Sequence, residues 1–413
     1  MSDTSIAIVG AGIVGASAAL ALQRDGHRVT IMDRQEPCAG ASFGNAGLIV
    51  NGSCAPTAMP GIVFDGLRML GQPRSALSVR PAYFLKILPW LIRFVAESRR
   101  TRVAQNARHL HALTNRAVNA WKQLTDNTDL HRLIESNGWI RVYESEGSFA
   151  TTRNARALLD DNGTPYEILT ATDIQDLEPQ LAPIFARGIY QSDSLLLTNP
   201  DRMVRGMVDL LLQRGGTYKQ FNAQSIEVES DSVKLLNADE SMSFDKIVIA
   251  AGAWSKPFCQ QLGDNVALDT ERGYHLMLST DSSALLTRPV MSGDAAFVLS
   301  PMEAGLRLTT QIEFAGLDAA PDYRRVRSLL PAARRMLPGI DKAETSVWMG
   351  CRPSLPDSLP VLGFASNTRK VLYAFGHQHL GITLGPVTGL IIADLVSGRD
   401  PGLDLGPYRA DRF

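Results

Sequence analysis

The chain has 413 residues, 45% of them hydrophobic and 20% charged, and a formal net charge of −1 at pH 7. This composition is typical of a globular protein of about two to three domains, and the balanced charge gives no reason to expect a nucleic-acid partner. The cysteines at positions 38, 54, 259 and 351 lack the spacing of a zinc site or a disulfide framework. We therefore expect no metal site and a reducing, cytoplasmic location.

Residues 5–33 have the pattern of a dinucleotide-binding βαβ unit. A predicted buried strand over 5–9 leads directly into Gly10-Ala11-Gly12-Ile13-Val14-Gly15, a helix is predicted over 16–24, and a second strand ends at Asp33. The glycines allow a tight turn, close approach of the backbone to a pyrophosphate, and close packing of helix and strand. The Asp33 carboxylate is then placed to accept hydrogen bonds from an adenosine ribose. A secretory signal or membrane span is disfavoured, because no basic segment precedes the apolar run.

Residues 83–103 mix apolar and aromatic side chains with the basic residues Lys86, Arg93, Arg99, Arg100 and Arg102. An amphipathic helix of this kind can lie on an anionic membrane surface, which would place the protein peripherally on the inner face of the membrane. The alternative, which stays open, is a helix with one face in the core and a solvated basic end. A proline at position 89 predicts a kink in either case.

The remaining sequence predicts a second α/β passage followed by an antiparallel sheet. Asn199-Pro200-Asp201 predicts the start of a helix and Gly215-Gly216 its end. Pro386 predicts the first turn of a last helix, and Gly398 the position just beyond its end. The other predicted helices cover 109–124, 151–162 and 321–337, and the predicted strands cover 139–143, 188–191, 217–236, 244–250, 274–279, 296–299, 306–311 and 371–375.

Four further glycine-containing segments carry a resemblance to a known family. They are Ala41-Ser42-Phe43-Gly44-Asn45-Ala46-Gly47-Leu48, Ala250-Ala251-Gly252-Ala253-Trp254, Gly350-Cys351-Arg352-Pro353, and the turn over 376–389. In this order they resemble the amine-oxidising flavoproteins related to D-amino acid oxidase and glycine oxidase. The chain looks most similar to the bacterial D-amino acid dehydrogenases, including those acting on D-proline and hydroxy-D-proline. The βαβ unit alone leaves NAD and FAD both open, whereas the resemblance, which spans essentially residues 5–400, implies non-covalent FAD.

The resemblance implies an α/β plus α+β fold, in which a Rossmann-like FAD-binding domain is interleaved with a substrate domain built on an antiparallel sheet. We place the FAD-binding domain at 1–58, 166–255 and 346–413. We place the substrate domain at 59–165 and 256–345.

The resemblance also implies which residues hold FAD. The glycine motif and Asp33 would contact the ADP half, and the loop over 41–48 would run from the pyrophosphate to the flavin ring. Ser225 would use its backbone to pair with adenine. The turn over 376–383 would cover the pyrimidine end, where a helix N-terminus can stabilise negative charge. The full set is Gly10, Gly12, Ile13, Val14, Gly15, Asp33, Arg34, Ser42, Asn45, Ala46, Gly47, Leu48, Ser225, Ala251, Gly252, Trp254, Gly376, Gly381, Ile382 and Thr383.

Three residues are implied on the substrate side. The Arg352 guanidinium can hold a substrate carboxylate through two hydrogen bonds, and so orient Cα–H toward flavin N5 for hydride transfer; the alternative is a surface ion pair. Tyr274 matches a family position that lines the substrate pocket, although a structural tyrosine is also consistent with its place. His379 can contact the substrate or the flavin, or can pack within its loop.

The implied function is FAD-dependent oxidative deamination or dehydrogenation of a D-amino or imino acid. D-proline and cis-4-hydroxy-D-proline are candidate substrates, and a quinone or oxygen is the electron acceptor. Two alternatives stay open. One is an oxidase of sarcosine, another N-methyl amino acid or glycine, with the same arginine and a different pocket. The other is the flavin-bearing subunit of a multi-subunit amino acid dehydrogenase.

Overall fold

The computed structural model describes residues 4–61, 77–340 and 343–413. Its strands are β1 Ser5–Val9, β2 Arg28–Asp33, β3 Leu48–Ile49, β4 Leu77–Val79, β5 Ile134–Glu135, β6 Trp139–Tyr143, β7 Glu167–Thr170, β8 Arg187–Gln191, β9 Leu195–Leu197, β10 Thr217–Gln220, β11 Ser225–Val228, β12 Val233–Leu236, β13 Ser241–Phe244, β14 Lys246–Ile249, β15 Asp269–Leu278, β16 Val290–Ser292, β17 Phe297–Met302, β18 Gly305–Phe314, β19 Glu344–Ser354, β20 Val361–Phe364 and β21 Val371–Phe375. Its α-helices are α1 Ile13–Arg24, α2 Phe84–Glu97, α3 Arg100–Thr114, α4 Ala117–Thr125, α5 Glu146–Ala150, α6 Arg153–Asp161, α7 Ala171–Leu177, α8 Pro200–Gln213, α9 Lys256–Gln261, α10 Arg324–Arg327, α11 Leu330–Met336 and α12 Gly381–Val396.

The first sheet has the strand order β10-β2-β1-β14-β21-β20. All of these strands run parallel except β20, which is antiparallel to β21. Strand β1 lies in the middle, and four of its five residues are buried. Parallel strands covered on both faces are apolar along their whole length, which explains the continuous hydrophobic runs in the sequence. The prediction of a Rossmann-like domain is confirmed.

Helices α1 and α12 pack against each other in the core on one face of this sheet. Small residues bring the two backbones close, because a Cβ added to Gly389 would lie 2.7 Å from the backbone of Ser17. The segment Gln378–Val396, which includes α12, is long and apolar enough to cross a membrane by length and composition. In this structure 67% of that window is buried, as expected of a core helix.

Helix α12 begins earlier than the sequence predicts. Pro386 lies inside the helix, whose first residue is Gly381. A proline at this position lacks the N–H that would bond to the Ile382 carbonyl one turn earlier. The Trp121 indole Nε1–H donates to that carbonyl instead, at 3.0 Å. A side chain from α4 thus replaces the missing backbone hydrogen bond, so the proline is tolerated inside the helix.

The large sheet has the strand order β19-β15-β18-β17-β16-β6-β8-β7, with β4 pairing beside β18. Most neighbours are antiparallel, but β16 runs parallel to β6 and β4 runs parallel to β18. The predicted antiparallel substrate sheet is therefore a mixed sheet with a mainly antiparallel core. Two small sheets, β11-β12-β13 and β3-β9-β5, complete the pairing among the described residues.

The large sheet corrects two of the predicted domain boundaries. Strands β7 and β8 belong to it, since Trp139 of β6 pairs with Gln191 of β8, although we assign 166–255 to the FAD-binding domain. Strand β19 also belongs to it along its full length, although we place the boundary at residue 346. Strand identity follows from local sequence, whereas these pairings are between segments distant in the chain.

Three predicted helices are each divided in the structure. The helix predicted around 83–103 is α2 and the start of α3, the one predicted over 109–124 is the end of α3 and α4, and the one over 321–337 is α10 and α11. Boundaries between consecutive helices carry weak sequence signals, because helical periodicity continues across a short break.

Candidate active site

A cavity of about 750 Å³ lies between the carboxyl edge of the first sheet and the large sheet. In open α/β sheets this edge is where ligands bind. The cavity is long, because its lining runs from Asp33 at the end of β2 to Arg352 near the end of β19. The predicted site residues that line it are Gly10, Gly12, Ile13, Val14, Asp33, Arg34, Ser42, Asn45, Ala46, Leu48, Ala251, Gly252, Trp254, Arg352, His379, Gly381, Ile382 and Thr383.

Four predicted cofactor residues lie behind this lining. An added Cβ on Gly15 would be 1.9 Å from the Gly10 carbonyl oxygen, so this glycine provides close helix–strand packing. Gly47 and Gly376 have φ of +76° and +89°, a backbone conformation that favours glycine, in the loop over 41–48 and in the C-terminal turn. Ser225 is paired within β11 to Leu236, and residues 221–224 just before it line the cavity instead. An adenine contact on this edge would therefore come from residues 221–224.

Tyr274 is placed in the core of the large sheet rather than on the substrate side. Its hydroxyl donates to Glu313 Oε2 at 2.6 Å and accepts from the Asp322 N–H at 3.2 Å. Successive strand residues point to opposite faces, and it is the neighbouring Gly273 that borders the Arg352 guanidinium. The structure gives Tyr274 a structural role, which corrects its place among the substrate residues.

The nucleotide end of the cavity is tightened by side chain–backbone hydrogen bonds. Asp33 Oδ2 accepts from the Ala11 N–H at 2.8 Å, and Ser42 Oγ accepts from the Ile13 N–H at 3.0 Å. The first residues of α1, Ile13 and Val14, line the cavity, so the helix N-terminus borders it, as a pyrophosphate site requires. Beside it, the Arg34 guanidinium stacks 4.3 Å from the Trp254 ring centroid.

The loop over 42–48 is held by a buried arginine that we did not predict. Arg307 Nη1 donates to the carbonyl oxygens of Phe43 at 3.1 Å and Asn45 at 2.6 Å. The Asn45 side chain in turn donates from Nδ2 to the His379 carbonyl at 3.3 Å, which ties this loop to the C-terminal turn. Thr383 Oγ1 adds a second tie by donating to the Leu48 carbonyl at 3.1 Å. Segments from both ends of the chain therefore form one wall.

Arg352 lies at the far end of the cavity from Asp33. Its Nη2 donates to the Thr310 carbonyl at 3.3 Å, and the residue opposite it in the β15–β19 register is Glu271. Burial lowers the pKa of Arg352, and the Glu271 carboxylate partly offsets this shift. A Cβ on Gly273 would lie 2.3 Å from Arg352 Nη2, so only glycine leaves room for the guanidinium there. No carboxylate forms a salt bridge with Arg352 in the described ranges.

His379 borders the cavity near Arg352, and its side chain is accessible from the cavity. Desolvation by the surrounding protein, together with the positive charges of Arg352 and Arg141, lowers its pKa to about 4. The imidazole is therefore neutral at pH 7 and is suited to hydrogen bonding rather than to charge pairing.

The structure adds aromatic and basic side chains to the substrate end. Trp348 and Gly350 share a face of β19 with Arg352, and all three line the cavity. His275 stacks on Trp348 with 5.2 Å between ring centroids. Arg141 enters from β6. Period-two alternation from Arg352 indicates Trp348 and Gly350 in the sequence, but nothing local indicates Arg141.

A sequence model of the FAD dependent oxidoreductase family matches residues 5–395 of the chain. The chain belongs to this family. It is 33% identical to a D-amino-acid oxidase of Bradyrhizobium diazoefficiens, over 99% of this chain and 98% of that protein. It is 28% identical to a D-amino acid dehydrogenase of Vibrio vulnificus, over 97% and 99% of the two chains.

Solved structures show the same fold for this FAD-dependent oxidoreductase. Glycine oxidase from Geobacillus kaustophilus aligns with a TM-score of 0.76 at 22% identity over 99% of both chains. L-proline dehydrogenase from P. horikoshii aligns with a TM-score of 0.76 at 15% identity, over 100% of this chain and 98% of that one. The predicted family and fold are confirmed.

The cavity fits the FAD that the family binds. It is a single elongated space that joins the glycine turn and Asp33 to the aromatic and basic far end. A side chain on Gly10 would fill the turn, because its Cβ would lie 2.3 Å from the Ala250 carbonyl oxygen. Cys351 also lines the cavity, and burial raises the pKa of its thiol, which disfavours the reactive thiolate.

Proposed function

We propose that this FAD-dependent oxidoreductase dehydrogenates a D-amino or imino acid whose carboxylate is held by Arg352. The observation that carries this proposal is a guanidinium, largely enclosed by protein, at the end of the cavity opposite the nucleotide-binding turn. A carboxylate ligand would add to the countercharge of Glu271, which forms no salt bridge with Arg352 among the described residues. The relatives named for D-amino acids point to the same substrate class. D-proline and cis-4-hydroxy-D-proline are the candidates that the sequence resemblance implies.

Bound FAD supplies the acceptor for the hydride that leaves Cα. The chain itself has to fix the substrate, and the Arg352 guanidinium does so through paired hydrogen bonds to one planar group. A neutral His379 beside it can donate or accept one hydrogen bond without adding charge. The N-terminus of α12 follows this turn and directs its dipole toward the same end of the cavity.

The test is an absorption spectrum of the purified protein, followed by anaerobic addition of D-proline, cis-4-hydroxy-D-proline, D-alanine, sarcosine and glycine. Bleaching of the flavin bands by D-substrates supports the proposal and ranks the substrates. Bleaching by sarcosine or glycine alone favours the alternative function, an oxidase of N-methyl amino acids or glycine, and glycine oxidase is the name of one fold neighbour. Arg352→Met should abolish bleaching at low substrate concentration while FAD stays bound, and Arg352→Lys should restore part of it. A flavin that stays oxidised with every compound would contradict the proposal.

We further propose that helix α2 places the protein on the inner face of an anionic membrane, where a quinone is the electron acceptor. One face of α2 packs on the core through Ile87 and Trp90. The opposite face exposes apolar side chains, of which Leu85 is 79% and Ile92 is 63% accessible. The neighbouring basic residues Lys86, Arg93, Arg99, Arg100 and Arg102 are exposed as well. An apolar face flanked by cations matches an anionic lipid surface.

Cosedimentation with phosphatidylglycerol vesicles tests this contact. Replacing Arg99, Arg100 and Arg102 by glutamine should weaken binding on the order of 100-fold, since each juxtamembrane cation contributes about 1 kcal/mol. The control variant replaces three exposed cations elsewhere, namely Lys122, Arg132 and Arg153. Failure of the intact protein to bind these vesicles, or equal loss in both variants, would end the proposal.

A further inference from the structure

We propose that Arg141 forms a second anion-binding position in the cavity, so that the substrate carries a second carboxylate in its side chain. This inference rests on the proposed function, because it assigns the α-carboxylate to Arg352. It narrows the substrate class to acidic D-amino acids, with D-glutamate as the type example, and ranks uncharged compounds such as D-alanine and D-proline below them.

Arg141 belongs to the part of the large sheet that faces the cofactor cavity. It lies two residues after Trp139 on β6, and both side chains line the cavity, as period-two alternation requires. Met291, its register partner on the neighbouring strand β16, lines the cavity as well. The Arg141 guanidinium carbon lies 5.1 Å from the Trp139 ring centroid. Stacking on an indole fixes the plane of a guanidinium and leaves its edge donors available.

The hydrogen-bonding capacity of Arg141 is unused within the described residues. Its Nε is buried without a hydrogen-bond partner, and no carboxylate of the described chain forms a salt bridge with it. By contrast, Arg288 pairs with Glu178 at 3.0 Å and Arg307 donates to loop carbonyls. A buried unpaired cation is costly unless a ligand supplies the countercharge. The orphaned Nε therefore points to an anionic ligand group.

The relative position of the two arginines indicates the length of the ligand. Strands β19 and β6 are five strand spacings apart in the sheet order, each of about 4.8 Å. Yet the side chains of Arg352 and Arg141 line the same cavity, which His379 also borders. The two arginines therefore enter one cavity from well-separated strands of the sheet. A ligand with carboxylates separated by several bonds fits this arrangement better than one with adjacent carboxylates.

Binding of compounds that cannot be oxidised tests the second position without turnover. Malonate, succinate, glutarate and adipate are titrated into the holoenzyme beside acetate, propionate, butyrate and valerate, and the shift of the flavin absorption bands gives each Kd. We expect at least one dicarboxylate to bind at least about tenfold more tightly than its monocarboxylate partner. Arg141→Gln should lower dicarboxylate affinity more than monocarboxylate affinity and so remove this advantage, and Arg141→Lys should restore part of it.

Turnover gives an independent comparison of nearly isosteric substrates. The ratio of kcat/KM for D-glutamate over D-glutamine should exceed about ten in the unaltered enzyme and fall close to one in Arg141→Gln. Equal Kd values within every pair of carboxylates, or a glutamate preference that survives Arg141→Gln, would overturn this inference. If D-alanine or D-proline is oxidised while no dicarboxylate is preferred, the inference fails and the proposed function stands. If the dicarboxylate preference is present but no D-amino acid is oxidised, the proposed function fails instead.

Discussion

Gly273→Ala should impair substrate binding while sparing the fold. The added Cβ would lie 2.3 Å from Nη2 and 2.4 Å from Cζ of Arg352, so the guanidinium must move. These atoms form the far end of a flexible side chain, and the backbone can therefore stay in place. Losing aligned hydrogen bonds to a charged carboxylate costs about 1.5–3 kcal/mol. This corresponds to roughly a 10- to 150-fold loss in kcat/KM.

Stopped-flow reduction of the enzyme-bound flavin under anaerobic conditions measures this loss, with FAD content and Tm recorded beside it. Gly147→Ala is the matched control, because its Cβ would meet only Ser145 Oγ, at 3.7 Å, in helix α5. The control should keep the unaltered kcat/KM. If Gly273→Ala also keeps it, with FAD bound and Tm unchanged, then Arg352 does not hold the substrate carboxylate and the reasoning is refuted.

Three other predictions concern the cofactor wall, the core and the pH dependence of stability. Arg307→Gln removes donors to two loop carbonyls and should weaken FAD binding at least about tenfold in a fluorescence titration; an unchanged Kd would contradict this. Trp121→Phe should lower the free energy of unfolding by about 1–3 kcal/mol more than Trp90→Phe, whose buried Nε1 has no partner, and equal losses would refute the hydrogen bond to α12. Burial lowers the pKa of His275 and His377 to about 3, so unfolding takes up protons below about pH 6.5. The free energy of unfolding should therefore decrease as the pH is lowered, by up to about 1.4 kcal/mol per pH unit for each histidine. A Tm that stays flat from pH 7 to 5 would contradict this.

The sequence predicts the cofactor half of the site because its signals are local. Gly10 must be glycine, since its φ is +119°, and this requirement arises within the single turn between β1 and α1. The position of the Asp33 carboxylate follows from the end of strand β2, which is also local in the sequence. The substrate half depends on pairing between distant strands. Strand 139–143 is predicted correctly, yet the face that Arg141 presents is decided by its neighbours β16 and β8.

The same distinction explains why the structure places Pro386 and Tyr274 differently from the predictions. Pro386 suits the first turn of a helix by its local sequence. Its interior position is tolerated because the Trp121 indole donates to the Ile382 carbonyl, which the proline leaves without a backbone donor. Strand alternation shows that Gly273 and Tyr274 point to opposite faces, but it does not show which face borders the cavity. The contact between Gly273 and the Arg352 guanidinium decides this, and it places Tyr274 on the other face. Tertiary partners therefore decide both positions.

The charges around the cavity explain why the proposed carboxylate site would use arginine rather than histidine. Histidine is already mostly neutral at pH 7, and the pKa of His379, lowered to about 4, keeps it uncharged in this environment. A guanidinium starts from a pKa above 12 and stays charged after a comparable penalty, as Arg307 does with a pKa lowered to about 10. A cavity enclosed enough to orient a carboxylate is thus one in which arginine keeps its charge and histidine does not. Substrate affinity should then be independent of histidine titration between pH 6 and 8, and it should depend on Arg352.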